Sequence, residues 1–166
     1  VIAQDRSSQQ SGNQLEILAD EMVLQKNSAV ATGNVKVNTA QGQMFGSRLE
    51  LDKTYQSGLL TGSPKLLSQG WKVTGKRFEI DFAEDELFVP AQAQLKSDRL
   101  TADAKELRLL YQADKAILTG DVVVVNQQRK LTGDKVVVNL KTEELTSEGR
   151  SRLRIPQQDL NKEDEE

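Results

Sequence analysis

The chain is predicted to be an all-β protein, an elongated antiparallel sandwich of two sheets, and three observations support this. Glycines recur every 29 residues, apolar residues alternate with polar ones, and only 4% of the 166 residues are aromatic. A fixed period of this length is typical of stacked repeats. The first series of repeat positions is Gly33, Gly62, Ala91, Gly120 and Gly149, and the second is Gly46, Gly75, Ala104 and Gly133.

The segments after the second series read as strands with one buried face. Apolar residues stand at alternate positions, whereas Glu50, Glu79, Arg108 and Val137 lie between them. A period of two indicates a strand with one face buried and the other usually in water. The inward pairs are Leu49 and Leu51, Phe78 and Ile80, Leu107 and Leu109, and Val136 and Val138.

The segments after the first series alternate in the same way. Their inward residues are Val35, Val37, Leu66, Leu95, Val122 and Val124. An upstream apolar column has the opposite parity, and a bulge at the glycine would bring both columns to one face. We therefore expect long strands to bend at the series positions, with a tight turn as the alternative. The upstream column is Val30, Leu59, Phe88, Ile117 and Thr146.

Each repeat is thus expected to hold two strands, or three, joined by polar turns. Residues 97–110 show the nearest approach to a helical stripe, but the repeat assigns them to strands. The predicted turns are Gln25–Ser28, Lys53–Ser57, Ala83–Glu86, Gln112–Lys115 and Lys141–Glu144.

Composition predicts one domain over residues 14–155, between a disordered segment, 1–13, and an acidic disordered tail, 156–166. The sequence holds no cysteine and no histidine, which excludes disulfides, thiolate zinc sites, cysteine nucleophiles and histidine acid–base catalysis. The net charge of −3 carries no sign of a nucleic-acid footprint. No apolar run is long enough to span a bilayer. A removed secretory signal remains open.

Carboxylates are the remaining candidates for chemistry. A pair of them serves glycosidases, and an acidic turn at residues 81–86 offers calcium-like ligands. These acids stand in turns or at outward strand positions, where solvated charges belong. We therefore expect no catalytic residue, no metal and no cofactor.

The inward columns have two interpretations: a closed sandwich core, or a lipid-accepting groove between sheets that do not close tightly. A uniform stack suits binding or conduction better than chemistry at one point. Trp71, the single tryptophan, is expected in the core rather than at a rim. The candidate lipid contacts are Val35, Val37, Leu49, Leu51, Leu66, Phe78, Ile80, Leu95, Leu107, Leu109, Val122, Val124, Val136 and Val138.

Two stretches, Leu15–Asp52 and Leu118–Leu140, resemble the OstA-like domain family of lipopolysaccharide transport, most closely its LptA type. Their shared marks are Thr-Gly-Asn-Val or Thr-Gly-Asp-Val strands, followed by a Gly-led strand with alternating apolar residues. The resemblance implies a V-shaped β-jellyroll that shields lipid acyl chains in the periplasm. It does not separate the LptA type from its LptC and LptD paralogues.

The resemblance also implies partners: lipopolysaccharide, a second copy joined head to tail, and related domains, LptC-like at one end and LptD-like at the other. Unpaired end strands are templates for strand addition. We expect them at residues 17–24 at one end, and at 136–145 or 150–155 at the other. A scaffold without a lipid ligand and a carbohydrate-processing jellyroll enzyme are the alternatives from other classes.

Overall fold

A computed structural model describes residues 15–157. Segment 1–13, and the tail beyond Gln157, lie outside the described residues. None of the described residues forms a helix long and apolar enough to cross a membrane. The strands are β1 Glu16–Leu18, β2 Glu21–Gln25, β3 Ser28–Thr39, β4 Gly42–Leu51, β5 Ser57–Thr61, β6 Lys65–Ser68, β7 Trp71–Thr74, β8 Arg77–Asp81, β9 Glu86–Val89, β10 Ala93–Lys96, β11 Leu100–Ala104, β12 Glu106–Leu110, β13 Lys115–Asn126, β14 Arg129–Asn139, β15 Leu145–Glu148 and β16 Arg152–Arg154.

All sixteen strands pair antiparallel in a jellyroll with two layers. Four long strands, β3, β4, β13 and β14, cross from one layer to the other. Sheet I has the order β2, β3 (28–32), β4 (48–51), β5, β8, β9, β12, β13 (115–119), β14 (135–139), β15. Sheet II has the order β1, β3 (35–39), β4 (42–46), β6, β7, β10, β11, β13 (122–126), β14 (129–133), β16.

The line along which the chain crosses between the sheets, here called the spine, follows the two repeat series. In β3 and β13 the register shifts by one residue at the crossing. Gly33 and Gly120 there have φ of +81° and +85°, and Asn34 and Asp121 follow them in the same left-handed region. The middle repeats break instead into separate strands at Gly62 and Ala91. The predicted bends are confirmed at Gly33 and Gly120, where glycine enters this region without the clash of a Cβ.

Each repeat is therefore two long strands, and in the middle repeats each strand is divided at the spine. All five predicted turns are present, at the free margin of sheet I. A second row of turns, at residues 40–41, 69–70, 97–99 and 127–128, forms the free margin of sheet II and was not predicted. Within residues 97–110, the chain forms a turn followed by β11 and β12 rather than a helix, as expected.

One apolar core fills the space between the sheets. It holds 27 buried hydrophobic residues and, among the described residues, no buried polar or charged one. The upstream column was expected to join this core, and that expectation is wrong. Val30, Leu59 and Phe88 are only partly buried, whereas their neighbours Leu60 and Val89 are fully buried. The column faces outward because Val30 and Leu59 both pair with Glu50 across the strands.

Candidate functional site

The fourteen predicted contact residues all lie in the core, and none is more than 8% exposed. The two sets predicted from the repeat halves occupy opposite sheets. Residues after the second series, such as Phe78 and Leu107, line sheet I, and those after the first series, such as Leu66 and Leu95, line sheet II. Their inward orientation is confirmed, and the fold brings them together in one cluster.

Besides Trp71, which was expected in the core, twelve further core residues were missed. Most of them are sequence neighbours of residues in the upstream column. Two adjacent positions in each repeat are therefore apolar, and only the phase of the strand decides which of the two is buried. The outward Glu50 and Glu79 could have shown that the upstream column faces outward, because each pairs across the sheet with the column residue Leu59. The missed residues are Ala29, Ala31, Met44, Leu60, Val73, Leu87, Val89, Ala93, Leu100, Ala102, Ala116 and Leu118.

Opposite the spine, the free margins of the two sheets meet along a line that we call the seam. Two side-chain hydrogen bonds span it in the described chain. The Trp71 indole Nε1 donates to the Leu140 carbonyl at 3.0 Å, and the Ser97 hydroxyl donates to Glu143 Oε1 at 3.1 Å. Trp71 is 8% exposed, which confirms its expected place in the core. The seam thus rests on few polar contacts, whereas the spine is continuous backbone.

A small cavity of about 30 Å³ lies just inside the seam, beside Trp71, Tyr111, Asp114 and Leu140. The Tyr111 hydroxyl is buried there without a hydrogen-bond partner. Burial, and secondarily the negative charge of Asp85, raise the pKa of this phenol far above its usual value. An unsatisfied buried hydroxyl costs free energy, so the hydroxyl of Tyr111 adds no stabilising bond to the seam.

Both ends of the sandwich expose apolar side chains from the inner faces of their end strands. At the amino-terminal end, Met22 and Leu24 are 47% and 76% exposed. At the other end, a recess of about 380 Å³ is lined by Leu131, Leu145 and Leu153 and reaches the core residue Val124. The inner faces of the end strands therefore meet solvent at both ends of the sandwich.

The end strands agree in part with the sequence expectation. β1 and β2 together match the expected residues 17–24 to within one residue at each end, and β16 lies inside 150–155. The alternative at 136–145 is wrong, because most of it belongs to β14. The edge of β14 that faces away from β13 is paired along its two halves by the short strands β15 and β16.

The carboxylates that were weighed as catalytic or calcium-binding candidates lie on the outer face of sheet I or in its turns. Glu50 and Glu79 make ion pairs on the outer face with Arg48 and Arg77 at 2.9 and 3.2 Å. In the acidic turn, Asp81 Oδ1 accepts the amide hydrogen of Glu84 at 2.9 Å. Within residues 15–157 no cluster of three or more Asp and Glu side chains suits a metal ion. These acids therefore stand where the sequence analysis expected them, in turns and at outward strand positions.

Residues 91–164 match the family described as LptA/(LptD N-terminal domain) LPS transport protein. This confirms the family-level resemblance. The motif in Leu118–Leu140 lies inside the match, and Leu15–Asp52 lies outside it. No curated protein sequence matches the chain. A similar solved structure is LptH, the LptA homologous periplasmic component of the conserved lipopolysaccharide transport device from Pseudomonas aeruginosa. It has 14% identity and a TM-score of 0.38, over 87% of this chain and 96% of that chain.

Proposed function

We propose that this chain, whose residues 91–164 match the LptA/LptD N-terminal domain family of lipopolysaccharide transport proteins, carries lipopolysaccharide across the periplasm without enzymatic activity. The acyl chains lie between the two sheets and contact the fourteen inward residues predicted from the sequence. The polar saccharide stays outside, in water.

One observation supports this proposal above the others: the interior is apolar along its whole length. Side chains such as Phe78 and Ile80 of sheet I face Leu66 and Leu95 of sheet II, with no charged or polar residue buried among the described residues. Each methylene removed from water contributes about 0.8 kcal/mol, so a lipid with several acyl chains needs such a lining. Similar residues repeated along the interior give sites of similar affinity, which allows the lipid to slide.

The lipid requires the sheets to separate, because the core residues leave no large internal space. Opening the sandwich at the spine would disrupt the four strands that run through it, β3, β4, β13 and β14, and the backbone hydrogen bonds between them. Opening at the seam breaks the side-chain bonds of Trp71 and Ser97. We therefore assign the hinge to the spine and the opening to the seam.

The ends support head-to-tail association. Each sheet contains ten strands, counting the halves of the four crossing strands, and all neighbours are antiparallel. With an even number, the first and last strands of a sheet run in opposite directions. A second copy can then add β2 to β15 and β1 to β16, and both sheets continue antiparallel. LptC-like and LptD-like domains would add to the two ends by the same strand pairing.

The tight interior also favours a second candidate, a scaffold that polymerises without a lipid ligand. Phe78, Leu107 and Val136 show no exposure at all, as in an ordinary core. The two candidates share the head-to-tail association and differ in whether the sheets open.

An environment-sensitive apolar dye distinguishes them. The carrier binds the dye, and lipopolysaccharide displaces it; the scaffold binds neither. Association is tested by sedimentation of Leu24→Arg and Leu153→Arg, which add a charge at either end, with Leu67→Arg on an outer face as the matched control. Association lost in the control as well as in the end variants would reject the pairing.

A further inference from the structure

The outer faces of the two sheets differ in charge. The outer face of sheet I mixes both signs, with five basic and seven acidic side chains at its outward positions. The outer face of sheet II has seven basic side chains and only two acidic ones, Glu16 and Asp103. The seven, here called the basic face, are Lys36, Lys65, Lys72, Lys96, Lys130, Arg152 and Arg154.

The basic residues of the two faces also differ in their partners. On sheet I, Arg48, Arg77, Arg108 and Lys135 each pair with a glutamate. Among the described residues, none of the seven on sheet II makes an ion pair. The acids of sheet II are held by amides instead: Glu16 accepts from Asn38, and Asp103 from Gln94.

The strand register places like charges side by side. Lys72 stands directly opposite Lys96, and Lys130 directly opposite Arg154. Such pairs destabilise a sheet rather than stabilise it. Lys36 and Lys65 flank Phe45, with their ammonium groups 6.0 and 5.1 Å from the ring centre. The two like-charged pairs cost stability and have no counterion within residues 15–157, which points to an external anionic ligand.

The extent of the face indicates what kind of ligand. From β3 to β16 it spans eight strand steps, roughly 40 Å at about 4.8 Å a step, which is wider than a single phosphate or sugar phosphate can contact. Two apolar side chains, Leu67 and Val125, lie among the basic residues and are each 40% exposed. Attraction of basic residues to anionic lipids and burial of apolar side chains both strengthen binding at a membrane surface.

We propose that the basic face docks on an anionic phospholipid bilayer. Its lysines and arginines lie over the phosphate groups, and Leu67 and Val125 contact the headgroup boundary. The interior remains free for its own ligand, since the basic face lies on the opposite side of sheet II. Docking therefore does not depend on the proposed lipopolysaccharide binding.

The test is cosedimentation of the full chain with vesicles of phosphatidylcholine alone or mixed with phosphatidylglycerol. We expect binding only to the mixed vesicles, weakening with added salt. Lys72→Gln together with Lys96→Gln should reduce binding about thirtyfold, from about fivefold for each basic residue near an anionic surface. Lys105→Gln with Lys141→Gln removes the same charge elsewhere and should leave binding unchanged.

Three results would overturn the proposal. The first is no binding of the unaltered chain to the mixed vesicles. The second is an equal loss in both double variants, which would reflect net charge alone. The third is binding of soluble inositol phosphate that depends on Lys72 and Lys96 without vesicle binding, which would assign the face to a free anion. Circular dichroism of each variant checks that the sheets are intact.

Discussion

The Trp71 indole nitrogen lies 3.0 Å from the Leu140 carbonyl oxygen, and this hydrogen bond joins residues 69 positions apart. Trp71 begins β7 of sheet II, and Leu140 follows β14 at the margin of sheet I. The bond therefore closes the seam between two sheets that share backbone only at the spine. A lipid that enters from the side has to break it.

Cross-linking the seam is expected to block lipopolysaccharide binding. Because the chain contains no cysteine, Ser97→Cys with Glu143→Cys supplies a unique pair for a short bis-maleimide across the seam. Gln94→Cys with Asp103→Cys is the control, since these residues hydrogen-bond within sheet II at 3.0 Å. Dye displacement should fail only in the seam-linked protein. Equal binding by both linked proteins would mean that lipid enters through the ends.

Two phenylalanines on opposite faces should differ in their contribution to stability. Phe78 is fully buried, whereas Phe88 faces outward beneath the Arg108 guanidinium, 4.8 Å from its ring centre. Phe78→Ala should lower the free energy of unfolding by about 3–5 kcal/mol. Phe88→Ala should lower it by about 1 kcal/mol, mainly the cation–π contact. Urea denaturation measures both, and equal losses would contradict the assigned strand phase.

Two glycines with nearly the same φ should differ when replaced by alanine. Gly62 has φ +86° at the spine, where an added Cβ would overlap the side chain of Ser47. Gly70 has φ +85° in a turn, where an added Cβ would meet no atom within 4 Å. Gly70→Ala should cost about 1–2 kcal/mol for the left-handed backbone alone. Gly62→Ala should cost clearly more in the same denaturation assay; a smaller cost would mean that the spine is loosely packed.

Removing the Tyr111 hydroxyl should stabilise the protein. Tyr111→Phe deletes a buried group without a partner and is expected to raise the free energy of unfolding by up to about 1 kcal/mol. Because the folded pKa of Tyr111 is raised, its neutral form is favoured by folding. That stability is present below the unfolded tyrosine pKa of about 10 and is lost as the pH rises further. The variant should lose less stability above this pH, and a steeper loss would refute the burial.

The glycine series predicted the spine because a left-handed backbone leaves a direct mark on sequence. Gly33, Gly62, Gly120 and Gly149 all have positive φ. The phase of the upstream column left no such mark, since Val30 and Ala31 are both apolar and only pairing decides which one is buried. Here the assumption that a bulge must bring both columns inward was wrong.

The residues of the candidate site could be predicted from the sequence, but whether the two sheets separate around a lipid could not. A closed core and a lipid-lined interior need the same alternating residues, so Leu49 or Phe78 cannot distinguish them. The hydrogen bonds across the seam could not be predicted from the sequence either, because partners such as Ser97 and Glu143 are 46 residues apart. The basic face did have a signal: Lys36, Lys65 and Arg152 share one place in the repeat.

Photo-crosslinking in cells tests the central claim, that acyl chains lie between the sheets, most directly. A photoreactive phenylalanine replaces Phe78 in one protein and Phe88 in another, with Glu79 as a further outward position. Phe78 and Phe88 lie on adjacent strands and face opposite ways. Lipopolysaccharide adducts are predicted at position 78 and absent at 79 and 88. Adducts at the outward positions alone, or at none of the three in a protein that still associates end to end, would contradict the account.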